Sequence, residues 1–149
     1  MPELIIADAS CLIVLTKISQ LDLLRQLYGT ATPTVAAEYG LPLPTWLKQE
    51  AATDAARQQL LALLVDAGEA SAIALALEWP GCTPILDDYK ARKTAERLAI
   101  RITGTFGVLL RAKGQGLVPA VKPLLDQIRQ TNFRFSAAIE MEILKQAGE

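Results

Sequence analysis

Two adjacent carboxylates, Asp87 and Asp88, follow the apolar run 83–86 and are the first candidates for chemistry in this chain. A second apolar run, residues 4–7, also ends in a carboxylate, Asp8. Open α/β sheets bind their ligands at the carboxyl ends of the strands, so two such strand ends can share one crevice. The spacing therefore predicts an acidic pocket at one edge of a sheet.

Two further acids, Glu38 and Glu69, lie in apolar helical contexts, where a charge is costly unless it is paired or binds a metal. Several convergent carboxylates predict a divalent-cation site, and their hard oxygen atoms suit Mg²⁺ or Mn²⁺. The chain contains no histidine, which excludes Ser/His/Asp and Cys/His nucleophile systems and nearly every zinc enzyme. The candidate catalytic and metal-binding residues are Asp8, Glu38, Glu69, Asp87 and Asp88.

Each of these acids also has a purely structural interpretation. Asp8 could cap the helix that follows it, but Ser10 is available for that role, and we therefore favour a site role for Asp8. Glu38 could occupy a solvated helix position, and Glu69 fits equally well in a helix capping box that begins at Asp66. In the strand-end pair, one aspartate could cap the next helix while the other is a ligand.

A basic segment begins directly after the strand-end pair. Lysines and arginines recur between positions 90 and 113, where Glu96 is the only acid. Cations beside candidate metal ligands predict a surface that binds phosphates, whereas a solvated helix face with an Asp88–Arg92 pair is the alternative. At the next predicted strand end, Thr103 or Thr105 could hydrogen-bond a metal-binding carboxylate or a phosphate, or could cap the following helix. The candidate substrate-binding residues are Ser10, Arg92, Lys93, Arg97, Thr103, Thr105 and Arg111.

The elements that must position these residues alternate between short strands and helices. Strands that alternate with helices form parallel sheets covered on both faces, so the pattern predicts an α/β fold. Apolar runs predict buried strands at 3–8, 83–87 and 100–102. Periodicity and capping residues predict a helical turn capped by Thr34 and helices near 10–18, 21–28, 53–64, 69–79, 89–99, 105–113, 118–130 and 136–147, the last capped by Ser136.

The composition is that of one globular domain. A chain of 149 residues with 51% hydrophobic residues and a net charge of -1 predicts a single domain over residues 1–149. No apolar run approaches the roughly 20 residues that span a bilayer, and acids at positions 3 and 8 interrupt any signal peptide. Isolated Cys11 and Cys82 indicate reduced thiols in a cytoplasmic protein. Apolar helix surface at 60–65 and 70–77 predicts a homodimer, unless both segments simply cover the sheet.

Taken in order, the motifs resemble those of PIN-domain proteins. They are Asp8-x-Ser10, Val35-x-x-Glu38, Asp66-x-Gly68-Glu69-Ala70, Leu86-Asp87-Asp88-x-x-Ala91-Arg92 and Thr103-Gly104-Thr105-x-Gly107. The chain is most similar to a bacterial branch of nucleic-acid-binding PIN proteins related to the toxin ribonucleases of type II toxin–antitoxin pairs. The resemblance implies a small three-layer α/β/α sandwich with a short parallel sheet, whose acids bind Mg²⁺ or Mn²⁺ and hydrolyse single-stranded RNA.

By position, Asp8 matches the first acid of the family, Glu38 the second, Glu69 the third, and one of the strand-end aspartates the fourth. The pattern departs from the toxin ribonucleases in two ways, because the third acid is a glutamate that opens a helix and the fourth acid is doubled. The resemblance implies single-stranded RNA, a small antitoxin protein and a second copy of the chain as partners. The alternative is a non-catalytic PIN-like module that binds nucleic acid or protein.

Overall fold

Four short strands form one parallel sheet in the order β3-β2-β1-β4 within residues 4–149, the part of the chain that the computed structural model describes. Residue 3 of the predicted first strand lies outside the described residues. An isolated parallel bridge between Ile85 and Thr103 extends the sheet beyond β4. The strands are β1 (Ile5–Ile6), β2 (Gly29–Ala31), β3 (Lys48–Gln49) and β4 (Thr83–Pro84).

Helices follow or connect the strands along the described chain. They are α1 (Ala9–Lys17), α2 (Asp22–Gln26), α3 (Pro33–Tyr39), α4 (Ala55–Leu61), α5 (Ala67–Glu78), α6 (Tyr89–Arg97), α7 (Thr105–Gly114), α8 (Lys122–Arg129) and α9 (Ala137–Gln146). None of these helices is long and apolar enough to cross a membrane.

Consecutive residues of β1, and the two residues that follow β4, pack into different cores on the two faces of the sheet. Ile5 and Ile85 belong to a core with α1, α2, α7 and α8. Ile6 and Leu86 belong to cores built on α5 and α6. Successive side chains of a strand point to opposite faces, so helices cover the sheet on both sides. The predicted three-layer α/β/α sandwich with a short parallel sheet is confirmed.

Two strands were not predicted, and one predicted strand is wrong. Residues 100–102 form no strand, and only the bridge at Thr103 pairs with the sheet. Strands β2 and β3 have three and two residues, which is too short to show an alternating pattern. Strand β3 also consists of exposed polar residues, so no apolar signal marks it.

Two predicted helix caps are also wrong. Helix α1 is capped by Asp8 and not by Ser10, and α3 is capped by Thr32 and not by Thr34. In both cases the capping residue lies within two residues of the strand end, has extended backbone and accepts a backbone N–H through its side-chain oxygen. The cap predicted at Ser136 is confirmed, because its hydroxyl accepts the Ile139 amide at 3.1 Å.

The apolar segments proposed for self-association have different environments. Most side chains of 70–77 are buried within the chain, so this segment covers the sheet and offers little contact surface. The leucines around the end of α4 remain exposed: Leu60 by 66%, Leu63 by 80% and Leu64 by 53%. Of the two predicted contact surfaces, only 60–65 is available.

Candidate acidic site

Asp8 lies at the carboxyl end of β1 and is only 5% exposed. Its Oδ1 accepts the backbone amide of Cys11 at 2.8 Å, so Asp8 caps α1 in addition to any role in a site. Burial raises the pKa of Asp8 to about 8, and the negative charges of Asp87 and Glu69 contribute to this shift. The fold therefore brings a buried carboxyl group within electrostatic reach of two other acids.

Asp87 is fixed by the amino terminus of α7. Its Oδ1 accepts the Thr105 amide at 2.9 Å, and its Oδ2 accepts the Thr105 hydroxyl at 2.6 Å. Thr105 itself is fully buried. Two hydrogen bonds to one rigid residue hold the Asp87 carboxylate in a single orientation. Thr105 thus binds a candidate site carboxylate, one of the two roles predicted for it.

Asp88 caps α6, where its Oδ2 accepts the Ala91 amide at 3.1 Å. Burial is the main cause that raises the pKa of Glu69, and the charges of Asp88, Asp66 and Glu38 add to it. Glu69 also completes the predicted capping box, because its Oε1 accepts the Asp66 amide at 3.2 Å. Of the two aspartates, Asp87 raises the pKa of Asp8 and Asp88 raises the pKa of Glu69.

Glu38 reaches this group across the interface between α3 and α5. A Cβ placed on Gly68 would lie 2.5 Å from Glu38 Oε1, so the Glu38 carboxylate lies against the first turn of α5. The hydroxyls of Thr32 and Ser71, 2.6 Å apart and buried, join the same two helices. The absence of a side chain at Gly68 gives Glu38 its position.

A second glycine, Gly104, makes room for Asp87. A Cβ on Gly104 would lie 2.8 Å from Asp87 Oδ1 and 3.3 Å from Arg92 Nη1. The Arg92 guanidinium donates to the carbonyl of Leu86 at 2.7 Å, and no ion pair joins it to Asp88 within residues 4–149. The alternative interpretation, an Asp88–Arg92 pair, therefore does not hold, and Arg92 lies instead beside Asp87.

Sequence reasoning did not assign site roles to four residues that shape this region. Gly68 and Gly104 leave space for carboxylates, and Thr32 and Ser71 align the helices that carry them. Glycine is a poor helix former, so Gly68 in the first turn of α5 is a signal that could have been read from the sequence, whereas Gly104 occupies an N-cap where glycine is common. The hydroxyl contact joins residues distant in the chain and leaves no local pattern.

The other predicted substrate-binding residues are distributed over a wider surface. Ser10 is exposed in the first turn of α1, and Arg111 is half-buried about 9 Å along α7 from Thr105. The Thr103 hydroxyl packs against Gly107 in the first turn of α7, so closely that a Cβ on Gly107 would collide with it. Lys93 and the exposed Arg97 lie further along α6. Of the predicted basic residues, Arg92 has a described contact at the end of β4 beside Asp87.

The donor atoms at this site suit a divalent cation. They are carboxylate oxygens, the ligands that Mg²⁺ and Mn²⁺ prefer, and a buried carboxyl among like charges favours a neutralising ion. As the side chains lie, no three acidic or cysteine side chains of residues 4–149 are close enough to hold a metal ion. The residue types fit the metal, and the side chains would have to draw together to bind it.

A short parallel sheet lies between two helical layers, with acids at the ends of its central strands, and these features define a small α/β/α domain. A family model described as DUF3368, a PIN domain, matches residues 4–149, and the chain belongs to this PIN-domain family. The resemblance seen in the motifs is thereby confirmed. PIN domains are generally nucleases, which supports a hydrolase activity in broad terms. No curated protein and no solved structure gives a significant match.

Proposed function

We propose that this chain is a metal-dependent ribonuclease that cleaves single-stranded RNA and acts as the toxin of a toxin–antitoxin pair. The observation that carries the proposal is the buried carboxyl of Asp8 beside Asp87 and Glu69 at the carboxyl end of a central strand. Gathered negative charges are unfavourable unless a cation neutralises them. The proposed catalytic acids and metal ligands are Asp8, Glu38, Glu69, Asp87 and Asp88.

In this proposal the carboxylates of these five acids would hold Mg²⁺ or Mn²⁺. When bound, such an ion polarises a phosphate oxygen and lowers the pKa of bound water, which replaces a histidine base. Thr105 keeps Asp87 in place through its amide and hydroxyl. Arg92 donates one N–H to the Leu86 carbonyl and has further donors for an RNA phosphate.

The test is cleavage of single-stranded RNA by wild type and by Asp8→Asn with Mg²⁺ or Mn²⁺. We expect cleavage that depends on the metal, stops in excess chelator and is lost in Asp8→Asn. Asparagine caps a helix as well as aspartate does, so the variant removes a charge and leaves α1 intact. Undiminished cleavage in chelator, or by Asp8→Asn, would overturn the proposal.

Asp54→Asn is the matched control for this experiment. Asp54 also caps a helix, since its Oδ1 accepts the Arg57 amide at 3.0 Å. Its own amide donates to Glu78, at the opposite end of α5 from Gly68, so Asp54 lies away from the acidic site. Asp54→Asn should cleave RNA at the wild-type rate.

The second candidate function is a non-catalytic module that binds nucleic acid or an antitoxin. It is supported by the hydrogen bonds that already engage Asp8, Glu69, Asp87 and Asp88 at helix starts. Calorimetric titration with Mn²⁺ separates the two functions. The ribonuclease should bind Mn²⁺ and lose this binding in Asp8→Asn, whereas the module should bind none.

A further inference from the structure

Tyr89 is the first residue of α6, directly after the acidic pair, and is 73% exposed. Consecutive Cα atoms are about 3.8 Å apart, so the ring starts beside the proposed catalytic acids. Its described ring contact is a cation: Lys93 Nζ lies 5.5 Å from the ring centroid. A large aromatic surface thus lies open at the margin of the acidic site.

Tyr89 is also the start of a basic track along α6. Residues four apart share one face of a helix, so Tyr89, Lys93 and Arg97 form a row about 12 Å long that leads away from the acids. With Lys90 and the half-exposed Leu64, these residues line a shallow groove. Glu96 offsets part of this charge through its 3.5 Å contact with Lys93, and Lys90 and Arg97 have no ion-pair partner within residues 4–149.

We infer that this groove is a nucleotide-binding subsite for single-stranded nucleic acid, in which a base stacks on Tyr89 and the cations of α6 bind the flanking phosphates. The inference rests on the proposed ribonuclease function and extends it, because it states where the strand runs beyond the acids. Proteins that bind single strands combine a basic groove with aromatic rings on which bases stack. The excess positive charge in the groove favours a polyanion over a protein partner.

The test is the affinity of an end-labelled single-stranded oligoadenylate, measured by fluorescence anisotropy in excess chelator. Tyr89→Leu keeps an apolar side chain and removes the stacking surface, whereas Tyr89→Phe keeps the ring. Base–aromatic stacking is worth about 1–3 kcal/mol, so we expect Tyr89→Leu to weaken binding by a factor of about 5 to 150. Tyr89→Phe should bind within about twofold of wild type, since its ring stacks equally well.

An abasic oligonucleotide of the same length is the second probe, and Tyr28→Leu is the matched control. The abasic strand keeps the phosphates but has no base to stack, so Tyr89→Leu should bind it as well as wild type does. Tyr28 is 54% exposed and lies at the start of β2, away from the acids. Its replacement should leave the affinity for oligoadenylate unchanged.

Unchanged oligoadenylate binding by Tyr89→Leu would overturn the inference and assign the groove to a protein partner. An equal loss on the abasic strand would also overturn it, because the ring would then act without stacking. Chelator keeps binding separate from cleavage. If Tyr89 stacks on a base but no metal-dependent cleavage occurs, only the ribonuclease proposal is contradicted. If cleavage occurs without stacking on Tyr89, only this inference is contradicted.

Discussion

At Asp8, one carboxyl group both caps α1 and is buried beside Asp87 and Glu69, where ionisation is unfavourable and its pKa rises to about 8. Capping needs only an oxygen acceptor and no charge. The ionised form of the same buried carboxyl is unfavourable unless a cation is bound. Asp8→Asn removes the charge and keeps the cap, and Asp8→Ala removes both. The two substitutions therefore separate the electrostatic cost from the structural benefit.

We expect Asp8→Asn to stabilise the metal-free protein at about pH 9 by at least about 1 kcal/mol. Folding raises the pKa of Asp8 from 3.8 to about 8, so wild type loses stability as the pH rises between these values, and asparagine does not. Asp8→Ala should be less stable than Asp8→Asn by about 0.5–2 kcal/mol. Thermal unfolding in chelator, followed by circular dichroism, measures both differences. An Asp8→Asn protein less stable than wild type would contradict this prediction.

At the scale of elements, the acidic site depends on how closely helix starts approach neighbouring carboxylates. The first turn of α5 meets the exposed end of Glu38, which is free to move. The residue before α7, Gly104, meets Asp87, which is held by two hydrogen bonds. The same glycine-to-alanine change should therefore have different effects at the two positions.

Gly68→Ala should keep or raise stability, by up to about 1 kcal/mol, because alanine is the better helix former. The added Cβ would displace the Glu38 carboxylate, so RNA cleavage should fall if Glu38 acts in the site. Gly104→Ala should destabilise the protein, by about 1–2 kcal/mol, because Asp87 cannot move without losing its bonds to Thr105. Thermal unfolding and a cleavage assay on both variants test the contrast, and equal losses of stability would refute it.

Glu149 provides the clearest pH dependence among the contacts between elements. Its carboxylate accepts the Val121 amide at 2.7 Å, the Lys122 amide at 3.1 Å and the Lys113 ammonium at 2.9 Å. The bond from the Val121 amide and the bond from Lys113 lower the pKa of Glu149 to about 2. These contacts tie the end of the described chain to the start of α8 and the last turn of α7.

We expect the stability advantage of wild type over Glu149→Gln to be largest above the ordinary pKa of 4.5 and to vanish as the pH falls through about 2. The sign follows because the carboxylate is bound more tightly in the folded state, so protonation removes its contribution. Thermal unfolding between about pH 6 and pH 2 measures the difference. Glu142→Gln, on the exposed face of α9, is the control and should show no such trend. A stability difference between wild type and Glu149→Gln that stays constant over this range would contradict the lowered pKa of Glu149.

At the scale of the whole molecule, the exposed leucines near the end of α4 are the surface most suited to a protein partner. Leu60, Leu63 and Leu64 are all more than half exposed, and contiguous apolar surface of this kind often marks an interface. Leu64 also borders the groove that contains Tyr89. A second copy of the chain or a small antitoxin that bound here would lie next to the proposed path of the RNA.

We expect wild type to form a dimer at tens of micromolar and Leu63→Asp to shift it toward monomer, because a charge at an apolar interface must be desolvated. Light scattering measures the mass in each case. Leu41→Asp is the control, since Leu41 is 58% exposed and lies in the loop after α3. A wild type that is monomeric at these concentrations would refute the dimer.

The sequence by itself determined the class of fold and the acids that are candidates for the site. Apolar runs that end in Asp8 and Asp87 predicted carboxylates at strand ends. Both the buried strand and its end can be recognised from residues that are adjacent in the sequence. The capping box at Asp66 and Glu69 was likewise readable, since its partners are only three residues apart. These predictions succeeded where the interaction is local.

Tertiary structure alone decided which acids face one another. Asp87 is oriented by Thr105, 18 residues away, and the helices that carry Glu38 and Glu69 are aligned by the Thr32–Ser71 contact across 39 residues. The short strands β2 and β3 exist because they pair with β1 and with each other, and no periodic pattern marks them. Contacts between distant residues form only when the chain packs, so the influence of Asp87 on Asp8 and of Asp88 on Glu69 became visible only in the folded molecule.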